Sequence, residues 1–199
     1  MLGTQFQGIG RSCLWHKLLQ ARNRAYNLKF KQTSRLVMET LSAAAEAIAE
    51  KLKARKETIA VAESSAGGLI SAALLAVPGA SRYYLSGAVV YTMQARSNLM
   101  GITEDDMKAK GLRSSSEPYA ELLAARARES HGATWGLAET GAAGPTGNRY
   151  GDAAGHTCIA VSGPVNSVLT LETGLDDRAE NMRLFAARAL AALDEALSN

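Results

Sequence analysis

Apolar and polar positions follow two alternating periods along this chain, and the switches between them fall at turns of small residues. Leu41, Ala44, Ala45, Ile48, Ala49 and Leu52 recur at helical spacing, which predicts an amphipathic helix over Glu39–Arg55. Thr58–Ala62, T-I-A-V-A, is a short apolar run with β-branched residues and reads as a buried strand. It stops at the small polar cluster Glu63–Ala66, meets two glycines, and passes into the helix-forming segment Leu69–Ala76, which V-P-G-A at Val77–Ala80 ends. A second strand is predicted over Tyr83–Tyr91 and a short turn or helix over Thr92–Met100. An alanine-rich helix over Glu117–His131 follows, with Ser115 or Ser116 as its cap. Trp135–Glu139 reads as a third strand, broken by T-G-A-A-G-P-T-G at Thr140–Gly147. His156–Ser162 and Ser167–Thr173 are two more strands with Gly163 and Pro164 between them, as in a hairpin, and a final amphipathic helix spans Arg178–Leu197.

Strands that alternate with helices in this way predict an α/β fold, a three-layer α/β/α sandwich whose sheet is mixed and mostly parallel. The small-residue turns follow strand ends, so a site is expected along the C-terminal edge of the strands. At 199 residues the chain is long enough to bury a core without disulfides or a structural metal. Cys13 and Cys158 lie far apart, neither in a paired motif, so Cys158 reads as a small core residue and a reducing compartment is expected. His16, His131 and His156 are scattered, and no metal site is expected. No apolar run reaches the roughly 18–20 residues of a membrane span, so the protein is expected to be soluble.

Charge divides the chain into two parts. Residues 1–38 hold seven Lys or Arg and no acid, which leaves fifteen basic against nineteen acidic residues, a net −4, for the remainder. The basic balance therefore belongs to the N-terminal segment, and a nucleic-acid surface on the domain is disfavoured. Two regions are expected: a basic N-terminal extension over 1–37 and a catalytic domain over 38–199. The extension mixes Leu14, Trp15, Leu18, Leu19 and Leu28 with arginines and resembles an organellar transit peptide, which would address the protein to a mitochondrion or plastid. A disordered basic arm, or sequence upstream of a true start at Met38 in a cytoplasmic protein, reads equally well.

The strand-turn-helix at Thr58–Val77 is where chemistry, or the binding of an anion at the helix N-terminus, is expected. It brings the hydroxyls of Ser64 and Ser65 to a strand terminus beside a helix N-terminus, with Gly67 and Gly68 permitting close approach of a ligand to the backbone. The alternative is an ordinary capped turn. Two further segments follow strands: V-Y-T-M-Q-A-R at Val90–Arg96, and E-T-G-A-A-G-P-T-G at Glu139–Gly147.

Together with A-E-S-S-A-G-G at Ala62–Gly68, these segments resemble the CinA C-terminal family, whose pattern reads approximately A-E-S-C-T-G-G, Y-S-N-E-A-K and T-G-I-A-G-P-G-G. The resemblance spans Met38–Leu197. It implies hydrolysis of the carboxamide of nicotinamide mononucleotide to nicotinic acid mononucleotide and ammonia, with a serine nucleophile, a lysine base and no metal or cofactor. Ser64 falls on the nucleophile, Tyr91 on the motif tyrosine, and Thr140 on the threonine that heads the third loop. Glu63, Ser65, Gly67, Gly68, Gly141, Gly144 and Gly147 are expected around the substrate, with backbone N–H groups after Ser64 holding the oxyanion. Arg178, ending L-D-D-R, matches the family's late arginine and is expected to bind substrate, its alternative being a surface charge. The resemblance also implies a homodimer and a small nucleotide as partner.

Departures from the pattern bear on the chemistry. Arg96 stands where the family has lysine, and arginine stays charged at working pH. It is a poor base, so its expected part is to bind charge, and activation of Ser64 falls to Glu63 or Tyr91. A family member that binds a nucleotide or a protein without turnover is the rival expectation. The loop Asn148–Gly155 and the segment Lys110–Pro118 also differ from the family, and His156 reads as structural.

Overall fold

The structure is a computed structural model and describes residues 41–199. The readings made for residues 1–37, and the start of the first helix at Glu39, lie outside these residues.

The first helix, α1, is seen over residues 41–55, and its apolar stripe Leu41, Ala45, Ile48, Ala49 and Leu52 is buried. After it come β1 (Ile59–Glu63), α2 (Leu69–Ala76), a 3-10 turn (Ala80–Arg82), β2 (Tyr84–Val89) and α3 (Met93–Met100). The second half holds α4 (Glu104–Ala109), α5 (Glu117–His131), β3 (Trp135–Ala142), β4 (His156–Ser162), β5 (Ser167–Glu172) and α6 (Arg178–Ala196). Helix α4 was not anticipated from the apolar pattern. It is held by a capping box, in which the Thr103 side chain accepts from the Asp106 amide while the Asp106 carboxylate takes the Thr103 amide. Thr140–Ala142 continue β3 instead of breaking it, because they pair with Cys158, Thr157 and His156 of β4. Ser116 occupies the N-cap of α5, yet its hydroxyl donates to the Arg113 carbonyl and caps nothing.

Five strands form one sheet in the order β2-β1-β3-β4-β5. The pairs β1/β2 and β1/β3 are parallel, whereas β3/β4 and β4/β5 are antiparallel, so four strands run one way and β4 alone runs against them. Alternation along the strands divides two apolar layers. Ala60, Ala62, Ala138, Cys158 and Ala160 pack with Tyr119, Leu123 and Met107 of α5 and α4 on one face. The other face carries α2 and α6, and α1 joins it through the Lys51–Asp194 ion pair and the bond from Arg55 to the Leu197 carbonyl. The strand residues facing α5 are small because the helix lies close. A Cβ on Gly136 would sit 2.0 Å from the Ala124 carbonyl oxygen of α5.

This topology sets the position of the site. From β1 the chain crosses through α2 on one face to β2, then returns through α3–α5 on the other face to β3, so the two neighbours of β1 are reached on opposite sides. Such a switch point leaves a crevice beyond the C-terminal ends of the central strands. The segments after β1, β2 and β3 all open there.

Candidate active site

Ser64 is the first residue past β1 and is partly exposed. It lines a cavity of about 270 Å³ together with Tyr91, Arg96, Ser115, Thr140 and Arg149. A second cavity, about 240 Å³, is walled by Ser65, Gly144, Gly147 and Arg178, and shares Tyr91 and Gly141 with the first. The structure thus brings the three loops expected from the sequence to one edge, with Tyr91 and Gly141 standing between two hollows.

The turn after β1 is held by two carboxylates, each with no exposed surface. Glu63 accepts from the amides of Gly68, Ile70 and Ser71, and from the Ser71 hydroxyl. The expectation that Glu63 contacts substrate or activates Ser64 is therefore corrected. Its side chain alternates to the α2 face and neutralises that helix's own N-terminus. For the same reason the N-terminus of α2 is not an anion site for a ligand. Gly67 and Gly68, at φ +66° and +99°, form the turn, and their amides go to the Ser64 carbonyl and to Glu63. Neither glycine lines the two cavities, so their expected contact with substrate is corrected as well.

Glu139, on β3, carried no assigned part in the sequence reading. One of its oxygens accepts from the amides of Ser64, at 3.1 Å, and Ala66, at 2.8 Å. The other accepts from the hydroxyls of Ser65 and Thr157. Burial pushes its pKa up, and these four donors pull it back. The consequence for Ser65 is that its hydroxyl is directed at Glu139, which corrects its expected role as a side-chain ligand of the substrate. Its backbone amide is different. From Ser64 to Ser71 the other amides donate inside the protein, while the Ser65 N–H has no acceptor among the described residues. The set of oxyanion donors expected after Ser64 narrows to that one N–H group.

Thr140 is buried on the α5 face. Its oxygen accepts the Ser115 amide at 3.3 Å, leaving its hydroxyl proton to turn toward the cavity. Ser115 has φ +56°, and the His156 Nε2 bonds its carbonyl while His156 Nδ1 meets Glu172. His156 therefore holds the Ser115 backbone. Tyr91 is 58% exposed, and its hydroxyl accepts from Arg178 at 3.0 Å, with the guanidinium 5.9 Å from the ring centre. The other arm of Arg178 reaches the Gly144 carbonyl, and Asn181, one turn on, ties α6 to the Ala143 carbonyl.

Arg96 is only 4% exposed. It donates to the Ile102 carbonyl and to Glu104 at 2.6 Å, and stands 6.0 Å over the Tyr119 ring. Glu104, drawn below its ordinary pKa mainly by that hydrogen bond, supplies the countercharge. The picture of Arg96 as a free cation for substrate is corrected: it lines the cavity with its charge already matched. Tyr119 is pushed up to about 12 by burial, so it stays a phenol at neutral pH. Burial likewise raises the Cys158 thiol. Among the described residues no cluster of His, Cys, Asp or Glu could hold a metal ion, and no helix is long and apolar enough to cross a membrane.

Comparison with known proteins gives a consistent picture. The model of the CinA C-terminal domain matches residues 41–197. A CinA-like protein of Desulfosudis oleivorans is 36% identical over 187 residues, 92% of this chain and 41% of that protein. A CinA-like protein of Prochlorococcus marinus is 39% identical over 60% of this chain and 28% of its own length. The chain thus spans well under half of these relatives. Among solved structures, a competence-damaged protein (CinA) superfamily protein from Escherichia coli superposes with TM-score 0.71 at 27% identity, covering 77% of this chain and 88% of that one. The competence damage-inducible protein A of Klebsiella pneumoniae gives 0.72 at 25% identity, over 80% and 98%.

Proposed function

Because this chain belongs to the CinA C-terminal domain family, we propose that it is an amidohydrolase acting on the carboxamide of nicotinamide mononucleotide or a closely related nucleotide. The observation that carries this reading is a juxtaposition. The one serine of the turn whose hydroxyl is not committed to a buried carboxylate lines the cavity, and the amide next to it is unpaired.

The chemistry follows from those groups. The Ser64 Oγ adds to the carboxamide carbon, and the carbonyl oxygen takes the developing charge beside the Ser65 N–H, with the Thr140 hydroxyl as a second donor. Tyr91 accepts the Ser64 proton as it passes its own to the departing nitrogen. This relay releases ammonia without a change in the charge of the tyrosine, and Arg178 fixes the phenol for it. Water then adds to the serine ester, and the relay runs in reverse to give the carboxylic acid and free Ser64. Arg96 orients Tyr119 and the floor of the cavity.

A second reading is favoured by one contact, the Arg96–Glu104 pair, which puts a neutralised cation where the family pattern has an ionisable amine. In that reading the site binds the nucleotide without turning it over. Ammonia release from nicotinamide mononucleotide by the purified protein separates the two. The amidase reading predicts release that falls by about 1,000-fold or more in Ser64→Ala. No release by the unaltered protein above the Ser64→Ala control would leave only binding.

A further inference from the structure

We propose that Arg149, on the loop between β3 and β4, is the anchor for the substrate's phosphomonoester, so that this loop selects phosphorylated amides over their dephosphorylated nucleosides. The inference rests on the amidase reading of the same cavity. It concerns a residue in a stretch where the sequence departs from the family pattern.

Four arginines surround the crevice, and their partners sort them. Arg96 is paired with Glu104, and Arg113 grips Asp152 with both arms at 2.5 and 3.0 Å. Arg178 is spent on the Gly144 carbonyl and the Tyr91 hydroxyl, in the neighbouring hollow. Arg149 lines the Ser64 cavity and has no carboxylate within ion-pair distance among the described residues. Its one partner is Tyr150, whose hydroxyl it meets at 2.8 Å and whose ring centre lies 4.9 Å away. The cavity wall therefore carries a guanidinium, the planar fork that suits phosphate oxygens, with no carboxylate bonded to it; Glu104, which shares the adjoining hollow and acts on Arg149 at longer range, is bonded to Arg96.

The loop beneath it is braced. The Asn148 side-chain oxygen accepts from the amides of Tyr150 and Asp152, its amide group donates to the Asp152 carboxylate, and Arg113 fixes that carboxylate from α5's leading segment. Arg149 thus projects from a closed frame, so less freedom is lost when it meets an anion. It also lines an adjoining hollow of about 530 Å³ that shares Met93 and Arg96 with the Ser64 cavity. A substrate with its amide at Ser64 has room to extend past Met93 and place a dianionic phosphate at Arg149.

The test is calorimetric binding of nicotinamide mononucleotide and of nicotinamide riboside to Ser64→Ala protein, with and without Arg149→Ala. It needs no turnover, so its outcome stands apart from whether Ser64 releases ammonia. The expected result is a loss of about 10- to 100-fold in affinity for the mononucleotide on removing Arg149, with the riboside changed less than about 3-fold. Arg149→Lys should restore part of the loss. Equal losses for both ligands, a mononucleotide loss under about 3-fold, or mononucleotide binding no tighter than riboside binding would overturn the assignment. Arg149 is exposed, and an unchanged melting temperature in the variant excludes a folding defect.

Discussion

At the scale of single residues, the site turns on which hydroxyls and amides are committed. Ser64 and Ser65 are adjacent and chemically alike, yet Glu139 claims the hydroxyl of one and leaves that of the other at the cavity. That distinction was not legible in the sequence, where both read as site hydroxyls, because it depends on a carboxylate 74 positions away. A signal was present all the same. An acid inside the apolar run W-G-L-A-E-T must find donors when the strand is buried, and the nearest are those of the turn beyond β1. Arg96 has a similar history: the sequence showed that it cannot act as a base, whereas its pairing with Glu104 required the unanticipated helix α4. A lysine at this place would stay protonated beside that carboxylate. We therefore expect Arg96→Lys alone to gain little in ammonia release, and Arg96→Lys with Glu104→Gln to gain toward the about 100-fold that a positioned base contributes. No gain in the double variant would mean that the base is not what limits turnover.

Among the elements, the turn into α2 shows local pattern and long-range chemistry pointing to different roles. Strand, small-residue turn and helix were all readable from Thr58–Val77, including the helix limits Leu69–Ala76. The anion-binding reading of that helix terminus failed because Glu63, the last residue of β1, turns its carboxylate onto the terminus itself. Removing it in Glu63→Ala leaves three amides short of an acceptor and should cost about 3 kcal/mol of stability by urea unfolding. Glu63→Gln, which keeps one acceptor oxygen, should cost less. A neutral result for Glu63→Ala would show that water replaces the carboxylate freely. Packing of α5 on β3 makes a sharper demand: Gly136→Ala has no room beneath the Ala124 carbonyl and should abolish the folded yield or cost more than about 3 kcal/mol. The strand and helix assignments flanking this contact were legible from periodicity, but the closeness of the approach was not, since no pattern of apolar residues reports how near two backbones lie.

Over the whole molecule, one arrangement converts sequence order into a site. The two neighbours of β1 are reached by crossovers on opposite faces, so loops distant in the chain meet at one edge of the sheet. This much was foreseeable from alternating strands and helices. The loop after β3 was not, because its shape comes from Asn148, Asp152 and Arg113 acting across elements. Its brace also gives the fold a pH signature. The hydrogen bond from Arg113, joined by Asn148, holds the Asp152 carboxyl below its ordinary 3.8. As pH falls below about 3.8, the unfolded chain takes up this proton before the folded one, and stability is lost until the folded carboxyl also titrates. Melting temperatures should therefore fall less steeply on acidification in Asp152→Asn than in the unaltered protein, with the difference confined to the acid side of that value. Parallel slopes would remove Asp152 from the account.

Covalent attack by Ser64 is the step from which the rest of the proposed amidase chemistry follows. Rapid acid quenching during turnover of nicotinamide mononucleotide, followed by peptide mass mapping, locates the acyl group directly. An added nicotinoyl nucleotide mass on the peptide that contains Ser64, fragmented to that residue and missing from Ser64→Ala, is what the geometry predicts. The same mass on Ser65, or ammonia released at full rate by Ser64→Ala, would contradict it.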